Sequence, residues 1–201
     1  MPVRKRLYDI FMAVVFAVLI APVFIVIAAL ILALDGRPVF YVSERMRSMS
    51  EAFGLVKFRT MRTVKKDSGV SGGDKAARIT RTGRILRRTR LDETPQLWNV
   101  LLGHISFVGP RPPLRQYVEK FPEIYQEVLK SRPGVTGLAS IRFHAHEEML
   151  LSRSESIDET DEIYSRICVP RKAQFDLIYQ KNRNMCYDIR IMLGSVFKKL
   201  R

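Results

Sequence analysis

The longest apolar stretch of the chain, from Ile10 to Leu34, contains no charged residue. Such a run is long enough for a helix that enters the hydrocarbon core of a bilayer. It lacks the short apolar region and the small-residue cleavage site of a secretory signal. We therefore predict that the mature protein keeps this helix, with residues 1–36 as a membrane anchor and residues 37–201 as a separate domain.

Pro22 lies near the middle of this run and removes one backbone hydrogen bond, so it should kink or break the helix at Ala21–Pro22. Basic residues, which tend to stay on the cytoplasmic side of a membrane, flank the run on both sides. They are Arg4, Lys5 and Arg6 before it, and Arg37, Arg45 and Arg47 after it. Two topologies fit: a helix that bends and returns to the same face, and an ordinary kinked span. The residues alone do not decide between them.

Short apolar segments beyond the anchor predict a small β element. Residues 38–42 and 54–59 are typical of two paired strands, and Lys57 and Arg59 would then lie on one face of the second strand. Residues 105–108 predict a further short strand. We expect these strands to contribute an antiparallel β element to a mostly helical α+β fold.

Two segments have a helical pattern. Residues 96–102 predict a short, one-sided helix with Thr94 as its N-cap and Pro95 as its first residue. Residues 114–130 predict an amphipathic helix that Pro122 interrupts. Helices of this kind could lie along the membrane interface around a compact domain.

Three other segments have weaker patterns. Residues 65–75 have no periodicity and predict a loop, and residues 132–137 predict a turn. Residues 189–200 carry an apolar stripe with basic flanks, which fits a helix in the membrane interface and a plain core helix about equally.

The balance of charge is strongly basic, with 34 Lys and Arg against 20 Asp and Glu and a net charge of +14. Such a surface should attract anionic partners, namely nucleic acid, acidic lipid headgroups or phosphorylated substrates. Charge alone does not choose among them. Cys168 and Cys186 fit no metal-binding spacing, and we predict two buried free thiols.

The densest chemistry lies between residues 78 and 113. Asp92 and Glu93 are adjacent and precede a predicted helix start, where backbone N–H groups and the helix dipole favour anions. An arginine-rich segment comes directly before them. Arg111 follows on a stiff turn rich in glycine and proline, residues 109–113. Cations beside a pair of carboxylates suit a site that handles phosphate.

Several motifs in this order resemble the bacterial sugar transferase family, and more narrowly its small monotopic phosphoglycosyl transferases. They are KFRTM at 57–61, RRTRLDETPQLWNVLLG at 87–103, SFVGPRP at 106–112 and RPGVTGLA at 132–139, behind one apolar N-terminal segment. The resemblance covers nearly the whole chain, and the ordered set is far more specific than a lone Asp-Glu pair.

The resemblance implies an enzyme that moves a sugar-1-phosphate from a UDP-sugar to undecaprenyl phosphate and releases UMP, with Mg²⁺ as cofactor. This would be the first membrane step in building a glycoconjugate such as an exopolysaccharide. The resemblance also implies a re-entrant membrane helix and a catalytic domain on the cytoplasmic face of the bacterial inner membrane. The expected partners are the UDP-sugar, undecaprenyl phosphate and membrane lipids, with no nucleic acid; a homodimer stays open.

The resemblance also assigns roles to residues. Asp92 would be the nucleophile that carries the phosphosugar, and Glu93 would help hold magnesium or assist proton transfer, so both carboxylates are candidate metal ligands. A set of cations would bind substrate phosphates: Lys57, Arg59, Arg87, Arg88 and Arg111. A carboxylate that attacks phosphorus and leaves again splits one displacement into two easier steps.

Two departures from the family pattern affect what the resemblance implies. Many relatives have Ser-Pro at the membrane break, whereas this chain has Ala21–Pro22. The segment after Thr136 also differs, and Arg142 is the residue that would replace an arginine found there in relatives. Thr136 and Arg142 are therefore the candidates for nucleotide or sugar binding, and the identity of the sugar is not predicted.

Two other classes of protein compete with this interpretation. A membrane-tethered module that binds anionic lipid or nucleic acid would account for the charge, but it leaves the acidic pair unexplained. An inactive scaffold of a polysaccharide assembly complex would not need Asp92, Glu93 and Arg111 together.

Overall fold

The computed structural model describes residues 2–64, 70 and 72–196. Its first helix, α1, runs from Val3 to Leu34. It is the one helix within the described residues that is long and apolar enough to cross a membrane, and most of its central side chains are exposed. It continues through Ala21–Pro22 without loss of helical backbone, so a bend at Pro22 stays a prediction.

The predicted antiparallel pair is present with shifted bounds. β1 (Phe40–Met46) pairs with β2 (Ala52–Phe58), and Tyr41 lies opposite Lys57. The strand predicted near residue 105 is β3 (Ser106–Val108), and it pairs in parallel with β4 (Gly134–Thr136). The prediction of a plain turn at residues 132–137 is therefore wrong, because backbone pairing with β3 extends this segment.

Short helices make up most of the remaining chain. The helices before β4 are α2 (Arg81–Thr89), α3 (Gln96–Leu101), α4 (Arg115–Lys120) and α5 (Pro122–Val128). Those after it are α6 (Leu138–Arg142), α7 (His144–Leu151), α8 (Ile157–Ile163), α9 (Val169–Asn182) and α10 (Met185–Val196). Three tighter or wider helical turns join them: Gly73–Arg78, Leu91–Glu93 and Tyr164–Cys168. The fold is mostly helical with a small antiparallel sheet, as predicted.

Local predictions had mixed outcomes. The break at Pro122 is confirmed, since α4 ends at Lys120 and α5 begins at Pro122. Thr94 is not an N-cap: it is already helical, and its hydroxyl donates to the Leu91 carbonyl. Cys168 is buried as predicted, but Cys186 is exposed. Part of the stripe predicted at residues 189–200, from 197 onward, lies outside the described residues.

The described residues form three apolar clusters, and the anchor helix takes part in two of them. Ala13 of α1 packs with Ile105 and Val108 beside β3, and with Ile191 of α10. The second cluster joins α4, α5 and α9 through Tyr117, Tyr125 and Val169, among others. The third cluster brings Ile27 and Ile31 of α1 against Phe58 of β2. The turn Leu91–Glu93, called the acidic turn below, packs against α2 and β2.

Candidate active site

Asp92 and Glu93 lie in a single 3₁₀ turn, Leu91–Glu93, between α2 and α3. α2 ends at Thr89, and Arg90 adopts the left-handed conformation with φ of 59°. The chain therefore reverses direction immediately before the acidic pair. Because this turn packs against β2, Glu93 comes within reach of Lys57.

Glu93 is the centre of a largely buried ion cluster. Its Oε1 atom accepts hydrogen bonds from Lys57 Nζ at 2.6 Å and from Arg111 Nη2 at 2.8 Å. The Glu93 side chain is 12% exposed and that of Lys57 is 17% exposed. Charge-assisted hydrogen bonds of this kind are stronger than neutral ones, so the three side chains hold one another in place.

The charges of this cluster shift pKa values in opposite directions. Burial alone would raise the pKa of Glu93, but Arg111 and Lys57 outweigh burial and hold that pKa well below its usual range. Burial, together with repulsion from Arg111, lowers the pKa of Lys57 to about 8. Glu93 is therefore ionised at neutral pH, whereas Lys57 loses its proton in mildly alkaline solution.

Asp92 stands apart from this hydrogen-bonded cluster. Within the part of the chain that the structure describes, its carboxylate accepts no hydrogen bond and forms no ion pair. Burial raises the pKa of Asp92 and the Glu93 carboxylate raises it further, while nearby cations oppose the rise. The two acids therefore differ: Glu93 is fixed by its partners, and Asp92 is left available to a bound molecule.

Both carboxylates line one cavity of about 680 Å³, a size typical of small-molecule sites. Its walls come from β1, β2, the segment after β2, the acidic turn, and helices α5, α7 and α9. Cations that line it include Arg45, Lys57, Arg62, Arg78, Arg87, Arg90 and Arg111. Such a wall neutralises negative charge, so the cavity suits a ligand that carries phosphate.

Three of the five predicted phosphate-binding cations are well placed for that role. Lys57 and Arg111 contact Glu93, as described above. Arg87 lines the cavity, where its Nε donates to Thr60 Oγ1 at 3.0 Å. These three cations surround the carboxylate pair closely enough to affect the pKa of Asp92.

The other two predicted cations are placed differently. Arg59 is among the residues that line the cavity. Its guanidinium, however, donates to the carbonyls of Asp35, Gly36 and Pro38 at 2.6–2.7 Å. It thereby fixes the segment that follows α1. Arg88 is exposed on α2 and is not among the residues that line the cavity.

The two candidates for nucleotide or sugar binding also lie apart from the cavity wall. Thr136 ends β4, and its carbonyl accepts a hydrogen bond from the Gly109 amide. Arg142 is exposed at the end of α6. Neither lines the cavity, whereas Ser140 and His144, from the same part of the chain, do.

Sequence reasoning missed several residues of the cavity. Arg45 alternates with Tyr41 and Ser43 along β1, and all three line the cavity; the two-residue period of a strand could have found this face. Burial and Arg111 lower the pKa of Arg45. The wall formed by α7 and α9 had no sequence signal, since the fold alone brings those helices to the acidic turn.

The donor set is compatible with a magnesium ion. Mg²⁺ in proteins is commonly held by one or two carboxylates together with substrate phosphates and water. Among the described residues, Asp92 accepts no hydrogen bond, and both hydrogen bonds to the Glu93 carboxylate fall on Oε1. One carboxylate and an oxygen of the other are thus left to contact a hydrated cation.

Comparison with known proteins gives the family. The family model for bacterial sugar transferases matches residues 2–201. The chain belongs to the bacterial sugar transferase family. Family membership gives the general class of the protein, a sugar transferase.

Relatives of this sugar transferase fall into two size classes. It is 38% identical to the exopolysaccharide production protein PSS of Rhizobium leguminosarum bv. phaseoli, over 98% of this chain and 96% of that protein. It is 32% identical to a UDP-glucose:undecaprenyl-phosphate glucose-1-phosphate transferase of Klebsiella pneumoniae, over 98% of this chain and 40% of that protein.

A third relative carries a different sugar in its name. The sugar transferase is 32% identical to a UDP-N-acetylgalactosamine-undecaprenyl-phosphate N-acetylgalactosaminephosphotransferase of Aeromonas hydrophila, over 98% of this chain and 43% of that protein. The chain thus spans about two fifths of the Klebsiella and Aeromonas relatives. Relatives named for glucose and for N-acetylgalactosamine are equally similar to it, so overall identity does not select a sugar.

Proposed function

We propose that this protein is a phosphoglycosyl transferase that moves a sugar-1-phosphate from a UDP-sugar to undecaprenyl phosphate and releases UMP. The observation that carries the proposal is the free Asp92 carboxylate next to the Lys57–Glu93–Arg111 ion cluster, in a cationic cavity of a bacterial sugar transferase. The names of the relatives support the same donor and acceptor classes.

The chemistry proposed for Asp92 has two steps. A carboxylate oxygen attacks the β-phosphorus of the donor, forming an acyl phosphate and breaking the bond to the oxygen that bridges to UMP. A phosphate oxygen of undecaprenyl phosphate then attacks the same phosphorus and restores the carboxylate. An Asp92 that is held by no hydrogen bond among the described residues is free to make and break this bond.

Glu93 has an electrostatic role in this proposal. Because its pKa is well below the usual range, it is a weak base near neutral pH and is a poor choice for proton transfer. It fixes the positions of Lys57 and Arg111, whose charges then offset the negative charge of the donor diphosphate. Two roles were expected for Glu93, metal binding and assistance in proton transfer. Its low pKa favours metal binding, and its hydrogen bonds let it also position Lys57 and Arg111.

Asp92 and Glu93 would hold Mg²⁺ together with the donor phosphates, and the ion would neutralise charge on the diphosphate. Arg87 and Arg111 act on the same charge from the protein side. Arg45 and Arg90, which also line the cavity, extend the cationic wall beyond the carboxylate pair. The protein thus supplies several cations for a reaction between two anionic substrates.

The membrane anchor supports a lipid acceptor. Near its start, Lys5 Nζ donates to Asp188 Oδ2 at 2.6 Å and Arg6 donates to the Val100 and Leu101 carbonyls. Near its end, Ile27 and Ile31 are buried against Phe58 and Leu86. The central part is exposed, with Val18 and Leu19 each 69% accessible.

Both ends of α1 therefore contact the same domain, while its middle offers apolar surface to lipid. A helix that crossed a hydrocarbon core about 30 Å thick would place its two ends on opposite sides. We accordingly propose a monotopic protein whose anchor re-enters the cytoplasmic leaflet of the inner membrane. That arrangement would keep the cavity near the lipid headgroups, where undecaprenyl phosphate resides.

The test of this function is release of UMP from a panel of UDP-sugars by the purified full chain with Mg²⁺ and a polyprenyl phosphate. Asp92→Asn keeps the shape of the side chain but is a far weaker nucleophile, so turnover should fall by at least about 10³-fold. Asp158→Asn, an exposed acid on α8, is the matched control and should retain activity.

Mass spectrometry of wild-type protein quenched with donor alone should detect a phosphosugar on Asp92. Undiminished turnover in Asp92→Asn would remove the nucleophile assignment. Retention of acidic lipid or nucleic acid by wild type, with no UMP from any donor, would instead favour a binding module.

A further inference from the structure

The cavity continues past the carboxylate pair into a deeper region between α5, α7 and α9. Apolar side chains, among them Val128, Leu151, Val169 and Ala173, form much of its wall. We call this region the α9 lobe. Four charged side chains of α7 and α9 line the cavity, and the proposed mechanism uses none of them: Glu147, Glu148, Lys172 and Asp176.

Two of these charged side chains form an ion pair with each other. Lys172 Nζ donates to Glu147 Oε1 at 2.8 Å and to the Tyr164 hydroxyl at 3.2 Å. The side chains of Lys172 and Glu147 are 12% and 17% exposed. This pair is therefore a fixed, nearly neutral part of the wall.

Asp176 has no such partner. It is 7% exposed, and within the described residues its carboxyl group forms no hydrogen bond or ion pair. An unpaired buried carboxyl group is costly to keep in a folded protein, and this one opens onto the same cavity as Asp92. Burial raises the pKa of Asp176 to about 7, so at neutral pH it can both donate and accept a hydrogen bond.

The signs of charge indicate which part of a ligand would enter the α9 lobe. Phosphates belong with the cations around Glu93. In the α9 lobe the charge of Lys172 is already matched by Glu147, and the Asp176 carboxylate repels phosphate when it is ionised. Arg111 lies between the two regions, because it bonds Glu93 and also feels the charge of Glu147. A donor with its diphosphate beside Arg111 would therefore place a neutral group beyond it.

We propose that Asp176 hydrogen-bonds hydroxyl groups of the neutral part of the donor, and that the α9 lobe is the site for that part. The inference deepens the proposed function and rests on it. Hydroxyls in a nucleotide sugar come from two sources, the transferred sugar and the ribose. Both offer the donors and acceptors that suit a buried carboxyl group with no hydrogen-bond partner among the described residues.

The test is a binding measurement, so it does not depend on turnover. The full chain carrying Asp92→Asn is titrated calorimetrically with UDP-glucose, UDP-N-acetylgalactosamine and UMP, with and without Asp176→Asn. Losing a hydrogen bond to a buried carboxyl group should weaken binding of at least one UDP-sugar roughly 10- to 100-fold. Asp158→Asn, added to the same background, is the control and should leave every affinity unchanged.

UMP distinguishes the two sources of hydroxyls. If UMP binding is unchanged while UDP-sugar binding weakens, Asp176 contacts the sugar; if UMP binding weakens equally, it contacts the ribose. Ala173→Leu should produce the same loss, because it fills the lobe and leaves the carboxyl group in place. This second variant covers the case in which Asp176→Asn does not fold.

Unchanged UDP-sugar affinity in either folded variant would overturn the proposal, as would a chain that binds none of the three ligands. Failure of the proposed function is seen separately. It would be the absence of UMP release by wild type in the turnover assay, while the titrations still report whether the α9 lobe binds the donor.

Discussion

The buried charge of Lys57 is expected to lower the free energy of unfolding. Its pKa lies at about 8 instead of the ordinary 10.5, because burial and Arg111 outweigh the attraction of Glu93. One pKa unit corresponds to about 1.4 kcal/mol, so keeping Lys57 charged in the folded state opposes folding by about 3 kcal/mol at pH 7. Lys57→Met, which fills a similar volume without the charge, should remove that cost.

The variant should therefore unfold at a higher temperature than wild type at pH 7. For a chain of this size, about 3 kcal/mol corresponds to a rise of roughly 5–10 °C in the midpoint. The same variant should lose roughly 10²- to 10³-fold in UMP release, because a cation beside the donor phosphates is gone. A gain in stability together with a loss of activity would be typical of an active-site residue.

The sign of the pH dependence provides a further check. The folded-state pKa of Lys57 is depressed, so wild-type stability should recover as pH rises from about 8 to 10.5, where the unfolded chain also loses its proton. The difference in the free energy of unfolding between wild type and Lys57→Met should thus be greatest below pH 8 and should vanish above about pH 10.5. Lys57→Arg keeps the charge and is the control.

Thermal unfolding of the three proteins in nanodiscs, between pH 7 and pH 11, measures both effects. A midpoint for Lys57→Met below that of wild type at pH 7 would refute the reasoning. It would mean that the contact between Lys57 and Glu93 outweighs the cost of burial.

Two further predictions concern the neighbours of Lys57. Glu93→Gln should lower UMP release at least 100-fold. Because the folded-state pKa of Glu93 is depressed, wild type should lose stability as pH falls below about 4.5, and thermal scans from pH 6 to pH 3 should show a flatter curve for the variant; parallel curves would contradict this. Arg59→Gln should lower stability by roughly 2–4 kcal/mol through loss of its carbonyl contacts, whereas the exposed Arg88→Gln should change it by less than about 0.5 kcal/mol. Equal effects of both arginine variants on the unfolding midpoint would contradict the different placements.

Much of the fold follows from local patterns in the sequence. The apolar run, the β1–β2 pair and the break at Pro122 each depend on a few neighbouring residues, and each is present. The parallel pairing of β3 with β4 was missed because it joins segments far apart in the chain, and such a contact leaves no local period. Thr94 fits the composition of an N-cap, but the Leu91–Glu93 turn begins the helical path earlier.

In the candidate site, too, the sequence indicates some residues and leaves others unmarked. Asp92, Glu93 and Arg111 stand out because unusual residue types fall close together in the sequence. Arg59 has the same composition signal as Lys57 and yet its guanidinium binds backbone carbonyls. Nothing in the sequence marks Asp176, whose importance depends on what surrounds it in the folded chain.

The ion pair between Lys5 and Asp188 links positions that are 183 residues apart. During synthesis, the apolar helix leaves the ribosome long before the helix that carries Asp188. The anchor can therefore associate with lipid before the rest of the domain has been made. Lys5 then forms its ion pair with Asp188 only when α10 has folded beside it. Truncations that remove α10 should accordingly leave a chain that associates with membranes but has lost the fixed placement of its helix relative to the cavity that Asp92 lines.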